Sequence, residues 1–378
     1  MKSSIKKTLL RVLFIINAAV TLFLLLSNLA PMVDPDKFWP IALFGILFPL
    51  VLVGNLAFIL FWLLVSPKKA LLSFTVVLLS FSNIMSTFGL NARKDFIQAK
   101  DPGTIRLVTW NVALMNYTEL DTLKAIQNNA LIFKKLRESN ADIICLQEFF
   151  TAVIPGNHYN LMDSIAKTLN YPFLYFSRDN PKFDEQFFMG NIIFSRYKII
   201  DTQKIIYPAP FVGSIIKTGI DINGDTIDVF TTRFQSVKFK SQDYKDMNAI
   251  KNRTDTGLTG SKNIIRKLRN AYGQRKEQVR VAKDFLENSN RPVLFSADLN
   301  DVPVSFTYAT LHKQMNDAWV KEGHGLGKTF QYLSPTLRID HIFFDDHFLS
   351  RQVNRIFSKD ETDHYGIIAD VALIKKGQ

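Results

Sequence analysis

Asn111, Glu148, Asp298 with Asn300, Asp340, and Asp363 with His364 share one setting: each stands in or at the end of a short apolar run. Their carboxylate and amide oxygens are the donors that a hard divalent cation such as Mg²⁺ or Mn²⁺ takes. A histidine oriented by a carboxylate can serve as acid or base. Together these groups suit the cleavage of a phosphate ester. That reaction needs charge neutralised on the phosphoryl oxygens, a water activated, and the leaving oxygen stabilised. No soft-ligand cluster competes. Cys145, the single cysteine, lies in the apolar run Ile143–Leu146 and is expected to be a small core residue. One cysteine allows neither an intrachain disulfide nor a cysteine-based zinc site.

Each residue alone also fits a plainer role. Asn111 could cap a turn, and Asp298–Asp301 could form an Asx turn. Asp363 and His364 could be a solvated pair. Glu148 is different, because it follows a buried apolar run, where an unpaired carboxylate is costly.

The elements that must position these residues follow from periodicity. Short apolar runs at 105–110, 142–146, 191–194, 292–297, 338–344 and 367–374 are expected as strands. Residues 219–222 and 226–231, separated by Asn223-Gly224, are expected as a tight hairpin. Leu120–Glu138 is expected as a helix burying Leu123, Ile126, Leu131, Phe133 and Leu136. Ser261–Glu287 is expected as a long helix with Ile264, Leu268, Tyr272, Val279, Ala282 and Leu286 on its apolar face. The mixture implies two packed sheets with helices outside. Ligand-type residues at several strand ends imply that those ends meet in one pocket.

Ahead of this domain lie three apolar runs, Leu9–Ala30, Phe38–Val65 and Ala70–Leu90, each of membrane-spanning length and without an acidic residue. A retained first helix is expected rather than a cleaved signal peptide, because the run is long and Asn28–Pro31 makes a poor cleavage site. Residues 1–95 are thus expected to be a three-helix anchor, 96–103 a linker and 104–378 one soluble domain. Lys2, Lys6, Lys7 and Arg11 before the first span, and Lys68-Lys69 between the second and third, imply that those ends are cytoplasmic. The domain would then lie on the outer face. Arg93 and Lys94, just past the third span, weigh against that orientation.

The net charge of +12 divides evenly between residues 1–95 and 96–378. The soluble part is only mildly basic, which argues against a surface built mainly for a nucleic-acid backbone. Residues 237–280 nevertheless hold twelve Lys/Arg against four acidic residues. That stretch reads either as a solvated helix face or as a patch for an anionic partner, nucleic acid or lipid headgroups.

Five segments occur in a telling order: Val108-Thr109-Trp110-Asn111, Cys145-Leu146-Gln147-Glu148, Ser296-Ala297-Asp298-Leu299-Asn300-Asp301-Val302-Pro303, Arg338-Ile339-Asp340-His341-Ile342 and Thr362-Asp363-His364. Over about residues 104–375 the chain resembles the endonuclease/exonuclease/phosphatase superfamily, with its DNase I-like fold. The resemblance implies an α+β four-layer sandwich, two mostly antiparallel sheets flanked by helices, behind the all-α transmembrane segment. It implies a divalent-metal-dependent phosphoesterase, cleaving a phosphodiester or phosphomonoester by metal-assisted attack of water. Glu148 would be the principal metal ligand, with Asp363 a further metal-site carboxylate and Asn111 helping to hold the metal or the scissile phosphate. Asp298 would orient or deprotonate the attacking water, and Asn300 would hydrogen-bond the phosphate or leaving group. His364 would contact the phosphate, its tautomer fixed by Asp340.

One position departs from the pattern. Where members of the family commonly place a histidine at a strand end, this chain has Arg233, in Thr232-Arg233-Phe234. Arginine can clamp a phosphate bidentately but cannot act as a general acid at ordinary pH. The substrate stays open between a lipid headgroup ester beside the bilayer and nucleic acid. A non-catalytic membrane protein that binds phosphorylated ligands through a degenerate site is the reading from another class, and Arg233 sustains it.

Overall fold

The computed structural model describes residues 2–179, 186–209, 213–239, 242–243, 259–332 and 334–374. It divides into two compact units. One joins Met1–Phe88 with residues 238–276 and Val302–Ala309; the other holds Gly89–Val237, Glu277–Asp301 and Thr310–Gln378.

The first unit is built on α1 (Lys2–Leu29), α2 (Pro40–Val65), α3 (Pro67–Leu79) and α4 (Phe81–Thr87). α1 and α2 are long and apolar enough to cross a membrane, and α3 with α4 makes a third span if the bent pair is counted as one. The third apolar run is therefore not one straight helix. It breaks at Ser80 with a 58° bend. There the hydroxyl of Ser80 donates to the carbonyl of Val76 and accepts from Asn28 Nδ2 at 2.9 Å, and such side-chain bonding bends helices. Apolar side chains alone give such helices little to tell one neighbour from another, and buried polar groups link them. Asn17 Nδ2 donates to Ser73 Oγ (2.5 Å), Thr21 Oγ1 to Asn55 Oδ1 (2.8 Å) and Trp62 Nε1 to Asn17 Oδ1 (2.8 Å).

The second unit is a sandwich of two six-stranded sheets. Its strands are β1 (Thr104–Asn111), β2 (Ile143–Ala152), β3 (Phe173–Phe176), β4 (Phe187–Ser195), β5 (Ile199–Ile206), β6 (Ser214–Ile222), β7 (Asp225–Arg233), β8 (Val293–Asp298), β9 (Asn316–Asp317), β10 (Asp340–Phe344), β11 (Phe348–Ile356) and β12 (Gly366–Leu373). The sheet orders are β11-β12-β1-β2-β4-β3 and β9-β10-β8-β7-β6-β5. Only β1/β2 and β7/β8 are parallel; the other neighbours are antiparallel. β1 is buried along its whole length because both faces are covered. Ile105 and Leu107 meet Val229, Leu294 and Ile342 of the other sheet, whereas Val108 and Trp110 face the layer containing Ile132 and Leu136. Cys145 lies in the layer between the sheets. The expected hairpin joins β6 to β7 through Asn223 and Gly224, both at positive φ (55° and 99°).

The helix α5 (Thr122–Ser139) begins at Asp121, whose carboxylate accepts from Leu123 N and Lys124 N, and ends at Asn140 in the left-handed region. Its buried face is only partly the expected one: Leu136 is buried and Phe133 packs half-buried against the core. Ala125, Asn128, Asn129, Ile132 and Leu136 are inside, while Leu123, Ile126 and Leu131 are exposed. Asn128 and Asn129 go inside because each has partners there: the carbonyl of Asp360 and the side chain of Asn116 for the first, the carbonyl of Met115 for the second. The long helix α6 runs from Thr259 to Glu287 and buries Tyr272, Val279, Ala282 and Leu286 as expected, while Ile264 and Leu268 are only half-buried.

Of the basic stretch 237–280, residues 237–239, 242–243 and 259–280 fall within the described part. Several of its charges are used internally. Lys267 pairs with Asp243, Lys276 with Asp34 and Asp36, and Arg275 is buried against the ring of Tyr272.

Candidate active site

The sandwich brings the candidate residues to one end. Asn111, Arg233 and Asp298 are the last residues of β1, β7 and β8. Asp340 opens β10, which runs antiparallel to β8, so it pairs directly with Asp298; Arg233 pairs with Asp298 from the other side. Asp363 and His364 lead into β12, antiparallel to β1, at the same end. Their backbone is pinned: Thr362 Oγ1 donates to Asn111 O, and Trp110 Nε1 to His364 O (2.9 and 3.0 Å).

Glu148 arrives by a different device. Strand alternation sends Ile143, Cys145 and Gln147 between the sheets and Ile144 and Leu146 to the opposite face, where Glu148 should follow. Instead the β2/β4 register breaks between Leu146 and Phe149, and Glu148 sits at φ 48°. The bulge turns the carboxylate back toward Asn111 and Arg233. A left-handed non-glycine residue costs about 1–3 kcal/mol, held here by the sheet on both sides.

The resulting network is closely connected. Asn111 Nδ2 donates to Asp298 Oδ2 (2.9 Å) and Glu148 Oε1 (3.1 Å), while its Oδ1 accepts from Ala113 N (3.0 Å). Asn300 donates to Asp298 from its backbone N (2.9 Å) and from Nδ2 (3.0 Å), and from Nδ2 to Phe234 O (2.9 Å). His364 Nδ1 lies 2.8 Å from Asp340 Oδ2. Arg233 Nε lies 2.6 Å from Glu148 Oε1 and 3.5 Å from Asp298 Oδ2. Asp363 is the rim residue, with a 41% exposed side chain and Oδ1 3.9 Å from His364 Nε2. His341 points away from this group and bonds Asp317 at 3.0 Å.

Charge sets the proton affinities. Burial and the neighbouring Asp340 push Asp298 up to about 6, against the pull of His364, Arg233 and Asn111. Burial would also raise Glu148, yet the Arg233 guanidinium and the Asn111 amide hold it below the usual carboxylate range. Burial would lower His364, but Asp340 overrides it and the imidazole rises to about 10.

The donor set fits a hard cation. Four carboxylates (Glu148, Asp298, Asp340 and Asp363) outnumber the two cationic side chains, Arg233 and His364. Asp340 Oδ1 is buried without a hydrogen-bond partner, and donor atoms of Asp298, Asp340 and His364 lie within 4.8 Å of one another. A divalent ion would take up that excess negative charge. The sequence did not single out the polar layer beneath this cluster, where Gln147 Nε2 donates to Thr109 Oγ1 and Thr231 Oγ1 (3.0 and 2.8 Å). Nor did it single out Phe330, edge-on to the His364 ring at 5.2 Å between centroids. Neither carries a local signal, since both act through partners distant in sequence.

Residues 108–364 match the pattern of the Endonuclease/Exonuclease/phosphatase family. Residues 10–87 match a Domain of unknown function (DUF8431). Among solved structures, an endonuclease/exonuclease/phosphatase from Beutenbergia cavernae is similar over 71% of this chain and 72% of its own, at TM-score 0.51 and 19% identity. The human Nocturnin catalytic domain with bound sulfate anion is similar over 74% and 97%, at TM-score 0.50 and 17% identity. At that identity the two share the fold. No curated protein matches the chain. The chain belongs to the endonuclease/exonuclease/phosphatase family, and its sandwich is the DNase I-like fold.

Proposed function

We propose that this member of a family of phosphate-ester hydrolases is a membrane-anchored, divalent-metal-dependent phosphoesterase. Its domain at 104–378 would be held by the helices of residues 1–95, with the domain on the outer face. The carrying observation is the buried Asp298–Asp340–His364 group at the converging strand ends, with Glu148 turned into it by a bulge. Bound Mg²⁺ or Mn²⁺ would neutralise the phosphoryl oxygens, held by Glu148 with Asp363 and Asn111 at its margin. Asn111 presents its NH₂ to the carboxylates, so it contributes by orienting Glu148 and Asp298.

The chain's own groups supply the rest. Asp298, steadied by Asn111 and Asn300, accepts the proton of the attacking water. Asp340 holds His364 as the imidazolium through Nδ1–H, which leaves the second N–H, on Nε2, to face the phosphate and pass its proton to the leaving oxygen as the ester bond breaks. Asn300 steadies the phosphate or leaving oxygen. Arg233 clamps the charge that grows in the transition state.

A phosphate ester of the bilayer itself, a lipid headgroup, is favoured over nucleic acid. The anchor keeps the site near such molecules, and several charges of the basic stretch are taken up internally. The test is a substrate panel given to the full chain in detergent with Mg²⁺: headgroup-labelled phospholipid and sphingolipid, a generic phosphodiester, a phosphomonoester and plasmid DNA. Preference for DNA would assign a nuclease instead. The Arg233–Glu148 ion pair supports one further reading, a degenerate site that only binds phosphorylated ligands. No turnover of any substrate, with tight phosphate-ligand binding, would establish it.

A further inference from the structure

The chain ahead of β1 is stitched to the sandwich at two points. Gly89–Leu90 pairs with His324–Gly325, and Asn91 donates from N to Gly323 O (3.3 Å) and from Nδ2 to Lys321 O (2.7 Å). Farther on, Ile97 N donates to Gln352 Oε1 (2.9 Å), and Gln352 Nε2 donates back to Ile97 O (3.0 Å). Residues 92–96, between these points, form one wall of a cleft of about 580 Å³. Trp319 and Glu322 of the helix Ala318–Glu322 form a second wall, and residues 351–357, in and just after β11, a third. Every lining residue belongs to the sandwich unit, and none of the catalytic candidates is among them. The volume is that of a small-molecule site.

Arg355 is half-buried, whereas the other cations that line the cleft, Arg93, Lys94 and Arg351, are exposed. The Arg355 guanidinium carbon lies 4.8, 5.5 and 5.9 Å from the ring centres of Phe357, Trp319 and Tyr365. Among the described residues that guanidinium makes one hydrogen bond, from Nη1 to Lys328 O (2.9 Å). Its Nε is buried without a partner, and no described carboxylate pairs with it. Rings attract a cation but supply no counter-charge, and a desolvated cation without one is costly. The acidic residues of the lining are Asp95, Asp101 and Glu322, three carboxylates against four cations. Burial pushes the Glu322 carboxyl up, against the pull of Lys94 and Arg351.

We propose that this cleft is a second anion site, which takes a small phosphate monoester as the counter-ion of Arg355, with Arg93, Lys94 and Arg351 at its rim. Cations from separate elements suit an anion whose oxygens point several ways. A phosphate dianion is such a group, whereas a carboxylate presents two oxygens in one plane. Trp319 and Phe357 give an apolar body attached to that phosphate a surface to pack on. Soluble esters and lipid headgroups both carry phosphate monoesters, and the experiment separates these sources. The proposal stands apart from the hydrolase reading, since it involves none of the residues assigned to the reaction.

The experiment is a calorimetric titration of the full chain in detergent, without Mg²⁺, with inorganic phosphate, phenyl phosphate and benzoate. It is run on the Arg233→Ala/His364→Ala variant, which removes the two cations of the catalytic cluster. Phenyl phosphate is expected to bind about tenfold tighter than inorganic phosphate, which lacks the ring, and than benzoate, which lacks the second charge. Adding Arg355→Gln should weaken phenyl phosphate by about tenfold or more. Adding Arg351→Gln, at an exposed position that leaves packing intact, should weaken it by about threefold. Amide hydrogen exchange at residues 351–357 should slow when phenyl phosphate is present. A second arm compares detergent micelles doped with phosphatidic acid or with phosphatidylcholine. Arg355-dependent binding of the phosphatidic acid micelles without binding of phenyl phosphate supports the site and assigns it to a lipid headgroup. Phenyl phosphate affinity unchanged by both arginine variants, equal affinity for benzoate, or no binding in either arm overturns the proposal.

Discussion

Arg233 Nε lies 2.6 Å from Glu148 Oε1, and the two residues reach each other from different sheets, β7 and β2. Nε makes no directed hydrogen bond there, so the contact is ionic. It sets the guanidinium against the carboxylate assigned to the metal. Arg233→Ala should lower kcat by about 10²-fold through loss of the phosphate clamp. The same change frees Glu148, so half-maximal rate should need less Mg²⁺. A Mg²⁺ titration of parent and variant separates the two effects. A variant needing more Mg²⁺ contradicts the competition, and a large gain in rate for Arg233→His would mark the arginine as a loss of function.

In the proposed mechanism Asp340 acts through His364. Asp340→Asn preserves shape but removes the charge that orients and holds the imidazolium. Its kcat should fall by about 10²–10⁴-fold, as for loss of a general acid, and His364→Ala should fall as far. The double variant should be little worse than either single one, because the two act as a unit. Additive losses in a double-mutant cycle would show that they act independently.

Stability of the metal-free protein should depend on pH through His364. Its folded value, about 10, lies above the ordinary 6.5, so the folded state binds the proton more tightly. That contribution is complete below pH 6.5 and is lost as pH rises to about 10. Melting temperature in detergent should therefore decline across that window, and His364→Asn should flatten the decline. Asp298, raised to about 6, adds a smaller loss between pH 3.8 and 6.

Glu148 carries backbone strain for the sake of its position. Glu148→Gly and Glu148→Ala both abolish the ion pair and should both abolish turnover. At φ 48° glycine is unstrained and alanine is not, so the glycine variant should be more stable by about 1 kcal/mol. Thermal unfolding of the two variants side by side checks the difference. A more stable alanine variant would mean that the bulge relaxes once the carboxylate is gone.

Asn17 links α1 to α2 and α3 within the apolar unit, accepting from Trp62 and donating to Ser73. Asn17→Leu leaves both partners without it in an apolar surrounding and should weaken helix association by about 1 kcal/mol. The readout is the melting temperature of the full chain in a mild detergent, with Ile15→Leu, at a 67% exposed position, as the neutral comparison.

The sequence by itself determined what is local. Long apolar runs marked the helices that are long and apolar enough to span a membrane, because spanning length is a one-dimensional property. Short apolar runs bounded by Asn111, Asp298 and Asp340 marked strands whose ends carry candidate ligands, because hydropathy and donor chemistry belong to each residue separately. What depended on distant partners was not written there. α5 buries Asn128 and Asn129 because carbonyls and a side chain from elsewhere in the chain accept their amides, so the expected face held at Leu136 and Phe133 but not at Leu123, Ile126 and Leu131. The third apolar run bends because Ser80 finds Asn28. Glu148 enters the site only because the sheet imposes a bulge that alternation alone would not supply. Arg233 reads in sequence as a missing histidine; the tertiary structure makes it the ion-pair partner of Glu148. Within the unit of apolar helices, Gly45 and Val304, 259 residues apart in sequence, have no chemistry in common until packing sets the Val304 carbonyl where a Cβ on residue 45 would stand. Contacts of that kind come from the free energy of the whole assembled chain, which no window of sequence contains.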